Sequence, residues 1–284
     1  MGEGDVDGLG EGIHAFNHHA MSTWWQVRIS GEEEVYASQA AQEAFALVDR
    51  MESLMSRFRA GSEISILSSL PAGGRYLVSA PVFECLSMAA RYQIFSGGAF
   101  DVCAATRQNG SSLSRWHLDS RTREFVADSG GCRVDLGAIA KGYTLDQISV
   151  EMEEWGIESF LLMSSGSSIL AGDPPSGDQA WRVRLGDGEQ GLEILLSHGG
   201  IGTSGSAMRG DHIINPATGI SSNRHQRSWA ISDSAAEADA LSTAWMNMNW
   251  DQIQNFCSNH PSVGAVIIDD AGEMRSTGKL TAIF

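Results

Sequence analysis

The sequence predicts an α+β (mixed α/β) domain: mixed sheets flanked by helices, with room for two lobes. Three observations carry that expectation. Apolar residues recur at helical spacing in Ala44, Leu47, Val48, Met51, Leu54, Met55 and Phe58, whereas short runs such as Thr23–Ser30 read as strands. Hydrophobic residues make up 42% of the 284 and charged residues 19%, which suits a substantial core in one large domain or two small ones. No linker or internal repeat divides the chain.

Taken in order, residues 1–20 are rich in Gly, Asp and Glu. They lack the basic start and apolar centre of a secretory signal, so a flexible polar segment is expected ahead of a domain at 21–284. His14, His18 and His19 belong to that lead-in and read as surface residues rather than a metal site. On the residues as given the compartment reads as cytoplasmic, or outside the membrane if a signal has been removed. Thr23–Ser30 is the first expected strand. Residues 37–58 form a long amphipathic helix, broken at Arg59-Ala60-Gly61, and Ser62 caps a short apolar turn after it. Residues 81–95 make a second helix, with Pro81 in the favoured first turn and Gly97-Gly98 at its end.

Residues 123–127 and 131–136 read as strands around Asp128-Ser129-Gly130. The stretch Val134-Asp135-Leu136-Gly137-Ala138-Ile139-Ala140-Lys141-Gly142 starts as a strand end, turns on small residues and enters a helix through Tyr143, Leu145, Ile148 and Met152. Gly156 punctuates it before a strand at 159–163. Ser164 to Ser168 is a small polar loop. Trp181–Leu185 and Leu192–Leu196 are strands, and residues 199–205 are the densest run of small residues. A strand at 228–231, helices at 235–248 and 250–257, and a hairpin of 263–268 with 274–276 complete the chain.

Lysine plus arginine number 19 against 35 acidic residues, a net charge of −16. That excludes nonspecific nucleic-acid binding and an anionic membrane surface as partners. No run of about 18 apolar residues exists, so no transmembrane helix is expected. Cys85, Cys103, Cys132 and Cys257 lack zinc spacing; they read as mostly buried thiols, with one bridge left open.

Four places offer chemistry. Asp135 meets a turn of small residues, and Lys141 lies in a first helical turn, where free N–H groups and the dipole favour anions. Asp239 and Thr243 are one turn apart on a helix face, oxygen ligands of the kind that suit Mg²⁺. Thr203-Ser204-Gly205-Ser206 offers hydroxyls and open amides for a phosphate. His212 reads as a strand-edge histidine, a proton carrier or a phosphate partner. Each pattern alone is common in ordinary surface structure.

Their order along the chain is distinctive. Ser56-Arg57-Phe58 with Ser62-Glu63-Ile64-Ser65, then Gly98-Ala99-Phe100-Asp101, Asp135-Leu136-Gly137-Ala138-Ile139-Ala140-Lys141-Gly142, Thr203-Ser204-Gly205, His212-Ile213-Ile214-Asn215-Pro216-Ala217-Thr218-Gly219 and Ala238-Asp239-Ala240-Leu241-Ser242-Thr243 resemble the ApbE family from about Ala20 to the end of the chain. The resemblance implies a single T-fold-like domain and a flavin transferase, an FAD:protein FMN transferase. Such an enzyme takes FAD as substrate and Mg²⁺ as cofactor, moves FMN onto a Thr or Ser hydroxyl of an acceptor protein and releases AMP. It implies further that Met21, Phe58, Ala99, Phe100, Asp101, Asp135, Lys141 and Ile213 line the FAD site. Asp239, Thr243 and the Ala138 carbonyl would hold the metal, with His212 and Asp101 as catalytic candidates. Val102-Cys103-Ala104 stands where the family carries Thr and Pro, and Asn215 where Asp is usual. Two alternatives stay open: an FAD pyrophosphatase, and a non-catalytic flavin-binding relative.

Overall fold

The computed structural model describes residues 12–104, 115–185, 192–205, 213–222 and 224–279. In chain order its elements are β1 (Ile13–Ala20), β2 (Thr23–Ser30), α1 (Glu34–Met55), α2 (Glu63–Ser68), β3 (Arg75–Leu77), α3 (Ala80–Phe95), β4 (Trp116–Asp119), β5 (Glu124–Ala127), α4 (Ala140–Glu154), β6 (Phe160–Ser164) and β7 (Ser168–Ala171). There follow β8 (Trp181–Leu185), β9 (Leu192–Leu196), β10 (Gly199–Gly205), β11 (His225–Ser232), α5 (Ala235–Asn247), α6 (Trp250–Asn259), β12 (Gly264–Asp269) and β13 (Met274–Gly278).

Eight strands form one antiparallel sheet in the order β1-β2-β6-β7-β10-β11-β12-β13. Both faces of its middle are buried, because alternate residues belong to different cores. Leu162 and Leu170 face a layer of helices that includes α1 and α4. Ala230, Ala265 and Ile267 face α5 and α6. Leu161, Ile169, Trp229, Ile231 and Val266 point the other way, where the β8–β9 hairpin covers them with Trp181, Val183, Ile194 and Leu196. A small sheet, β3-β5-β4, packs with α2 and α3 beside the helical layer. The architecture is the α+β domain expected, without a closed barrel among the described residues.

The close seat of α5 is made by glycines. A Cβ on Gly202 would lie 2.3 Å from the Ala238 backbone, and one on Gly200 would lie 2.7 Å from that of Ala235. On Gly142, in the first turn of α4, a Cβ would come 2.2 Å from the Ala235 carbonyl oxygen. Asp146 fastens the same contact: its carboxylate accepts from the backbone N–H of Ala235 (2.8 Å) and Ala236 (3.0 Å) and from the Ser234 hydroxyl (2.7 Å). It thereby satisfies helix-start amides that have no partner within α5.

Three sequence expectations change. Residues 13–20 are not a flexible tail: β1 pairs with β2 along its whole length, and His18 bonds Asp49 at 2.8 Å while stacking on Phe45. As an edge strand β1 needs no regular apolar face, so its sequence carries little period-2 signal. The segment 131–136 forms no strand; it is held by the Val134 N–H, which donates to the Ser68 hydroxyl (3.0 Å), and the Asp135 N–H, which donates to the Val102 carbonyl (2.8 Å). The polar stretch 164–168 is a tight turn with Ser165 and Gly166 at positive φ, and Ser168 already belongs to β7.

Gly142→Ala is expected to lower unfolding free energy by about 1–3 kcal/mol, the usual cost of overpacking, read by urea denaturation; an unchanged midpoint would show that α4 and α5 can part without cost. A second expectation concerns pH. His225 is buried at the start of β11 and its Nε2 bonds the Met248 carbonyl (2.9 Å). Burial holds its pKa below the ordinary 6.5, with the carbonyl opposing. The folded histidine therefore stays neutral while the unfolded one takes up a proton, so its contribution is full above about pH 6.5 and is lost as pH falls. His225→Gln should flatten the stability difference between pH 7.5 and 5.5 measured by denaturant titration.

Candidate active site

Loops and helix ends on the α4–α5 side of the sheet enclose a cleft of about 700 Å³. Its floor is built around Asp239, on the second turn of α5 and buried. Asp239 Oδ2 accepts from the Gly142 N–H (2.7 Å) and the Ser168 hydroxyl (2.9 Å). The carboxylate thus occupies the N-terminus of α4, where the helix dipole favours a negative charge. Burial nevertheless pushes its pKa up to about 6, against the pull of the Lys141 ammonium and the two hydrogen bonds. Among the described residues, both of these hydrogen bonds fall on Oδ2 and none on Oδ1.

One turn further along α5, the Thr243 hydroxyl meets that of Ser204 at 3.1 Å, and Ser204 also meets Ser242 at 3.0 Å. Engagement of the Gly142 N–H by Asp239 has a second effect. That amide is the i+4 donor an α-helix would offer the Ala138 carbonyl, so the carbonyl at this cleft-lining residue is released from that helical bond. Lys141 extends beside it, donating to the Gly137 carbonyl at 3.2 Å.

The wall centres on Asp135. Its Oδ1 accepts from the Gly137 N–H (2.9 Å), and its Oδ2 pairs with Arg57 Nε (2.9 Å). The Arg57 guanidinium also lies over the Phe58 ring, 4.1 Å from its centroid, leaving that ring 78% exposed at the mouth. Opposite, Met21 and Ser22 form a two-residue turn between β1 and β2 with φ of 51° and 59°. Hairpin turns that need positive φ at both positions favour Asn and Gly; Met and Ser held there are a strained feature of the kind that gathers at working sites. Asp101 Oδ1 accepts from the Cys103 N–H (2.8 Å).

Met21, Phe58, Ala99, Phe100, Asp101, Asp135, Ala138, Lys141, Ile213, Asp239 and Thr243 all line this one cleft. His212 lies outside the described residues. Phe100 is 1% exposed and contributes mainly from within the core. Sequence reasoning missed Arg57, Ser168, Ser242 and Asn247. Arg57 and Ser242 lie inside the motif blocks but were given no role there; the roles of all four arise from partners 38 to 148 residues away. The glycine run at 199–205 is a strand whose glycines at 200 and 202 serve helix packing, while Thr203, Ser204 and Gly205 reach the cleft. Among the described residues no group of three or more His, Cys, Asp or Glu side chains could hold a metal; the oxygen set at Asp239, Thr243 and Ala138 is of another kind.

The ApbE family model matches residues 21–267. The chain belongs to the ApbE family. A family relative from Klebsiella pneumoniae (strain 342), an FAD:protein FMN transferase, is 23% identical over 274 residues, covering 82% of this chain and 78% of the relative. The solved structure of the flavin transferase ApbE from Vibrio cholerae has a TM-score of 0.80 at 20% identity, covering 93% of this chain and 97% of that one. The ApbE protein of Thermotoga maritima gives 0.81 at 20% identity over the same shares. These likenesses establish that this ApbE-family chain has the fold of the solved ApbE proteins.

Asp239→Asn should keep the fold, because an amide oxygen can accept the same two hydrogen bonds. Asp239→Leu strands both donors and should cost about 1–3 kcal/mol for each. Thermal melts of the two variants without ligand check this; equal melting temperatures would mean that the floor does not depend on those bonds.

Proposed function

We propose that this ApbE-family chain is an FAD:protein FMN transferase, moving FMN from FAD to a Thr or Ser hydroxyl of an acceptor protein and releasing AMP. The observation that carries the reading is the convergence of Asp239, Thr243, the released Ala138 carbonyl and Lys141 in one cleft of about 700 Å³, within the size range of ligand pockets. Curated relatives bearing the FAD:protein FMN transferase name support the reaction class.

The residues fit Mg²⁺. It is a hard cation that takes oxygen ligands and borrows substrate phosphates. Asp239 offers Oδ1, which takes no hydrogen bond from the described residues, Thr243 a hydroxyl and Ala138 a carbonyl relieved of its helical donor. Bound there, the ion would supply positive charge against a diphosphate in a molecule of net charge −16. Among the described residues the cations at the cleft are Lys141 and Arg57, the latter already paired with Asp135. Phe58, backed by Arg57, offers an open aromatic face on which a flat ring can stack. In the transfer, the acceptor oxygen forms a bond to the FMN phosphorus and the bond to AMP breaks. The hydroxyl proton needs an acceptor, and Asp101 is the candidate carboxylate in the described wall, beside His212 from the sequence.

The test is incubation with FAD, Mg²⁺ and an acceptor protein, followed by denaturing electrophoresis for covalent flavin fluorescence and chromatography for AMP. Labelled acceptor with equimolar AMP is expected, and Asp239→Ala should reduce the rate by at least about 100-fold, several kcal/mol of lost charge stabilisation. Full transfer by Asp239→Ala would remove the metal assignment. FMN and AMP accumulating equally without acceptor would assign FAD hydrolysis instead.

A further inference from the structure

Behind the cleft wall, Cys103 and Cys132 face each other with their sulfurs 3.4 Å apart and both side chains buried. They are 29 residues apart in sequence, so the fold, not local spacing, brings them together. The backbone on both sides is tied down. The Cys103 N–H donates to Asp101 (2.8 Å), and the neighbouring Val102 carbonyl accepts from Asp135, three residues beyond Cys132 (2.8 Å). Val102 and Ala104, flanking Cys103, line the cleft, so the pair lies directly behind its wall.

The four thiols differ in chemistry. Burial raises the pKa of Cys85 and Cys257, the latter to about 11. Cys132 moves the other way, because the hydrogen bond from Cys103 favours its thiolate more than burial opposes it. A thiolate is the attacking species in disulfide exchange, so this is the pair set to react.

We propose that Cys103 and Cys132 are a redox modification site, a reversible disulfide that staples the Asp101 side of the cleft wall to the Asp135 side. The oxidant is a small-molecule disulfide. The Cys132 thiolate attacks one of its sulfurs and expels the other half as a thiol. The Cys103 sulfur then attacks the Cys132 sulfur of the mixed disulfide and expels the second half. The protein loses two hydrogens and two new thiols leave, so electrons and atoms balance. The sulfurs need only close from 3.4 Å to the bonding distance of about 2.05 Å.

The experiment treats the full chain with oxidised glutathione and follows intact mass, peptide map and melting temperature. Expected are loss of two hydrogens, one cross-linked peptide pair holding Cys103 and Cys132, and a rise in melting temperature of about 5 °C from constraining the unfolded loop. Dithiothreitol should reverse all three, and Cys103→Ala and Cys132→Ala should each abolish the bridge. A stable glutathione adduct alone, a bridge mapping to Cys85 or Cys257, an unchanged mass or an unchanged melting temperature would each overturn the proposal. The wild-type peptide map decides the pairing even if a variant fails to fold, and none of these readings depends on flavin chemistry.

Discussion

The close approach of α5 to β10 and α4 is the constraint on which the rest of the molecule depends. It exists because Gly200, Gly202 and Gly142 carry no Cβ where one would strike the α5 backbone at 2.2 to 2.7 Å. Glycine in a strand or helix costs conformational entropy, and here the cost is offset by a tightly apposed helix–sheet layer. The apposition delivers a carboxylate to a place it would not otherwise occupy. Asp239 reaches the first turn of α4 and a β7 hydroxyl at once, and buried charge of this kind persists only when it is hydrogen-bonded or paired.

Charge is rationed in the cleft. The chain is acidic overall, yet the carboxylates around the cavity are mostly committed: Asp239 to α4, Asp135 to Gly137 and Arg57, Asp101 to Cys103. Lys141 and Arg57 are the basic side chains that line the cleft among the described residues.

Legibility in the sequence followed the range of the forces involved. Helices α1, α3, α5 and α6 and strands β2, β8 and β9 were readable because their burial repeats locally, as at Ala44, Val48, Met51 and Met55 on α1. Strand β10 was not, since its glycine row is meaningful only against α5. Strand β1 was not, since an edge strand is polar on purpose. In the cleft, the motif residues could be nominated from the family resemblance, and Asp239 with Thr243 also from helical spacing. Arg57 and Ser168 could not, because each acts on a carboxylate more than seventy positions away. The thiol pair was left open for the same reason.

The cleft draws on chain from Met21 to Asn247, with contributions from both ends of that span. During synthesis, therefore, a nascent chain carries no working cavity until α5 has left the ribosome and docked. A truncated or clipped product ending before that helix lacks the floor. The cavity therefore exists only once both ends of this span are in place.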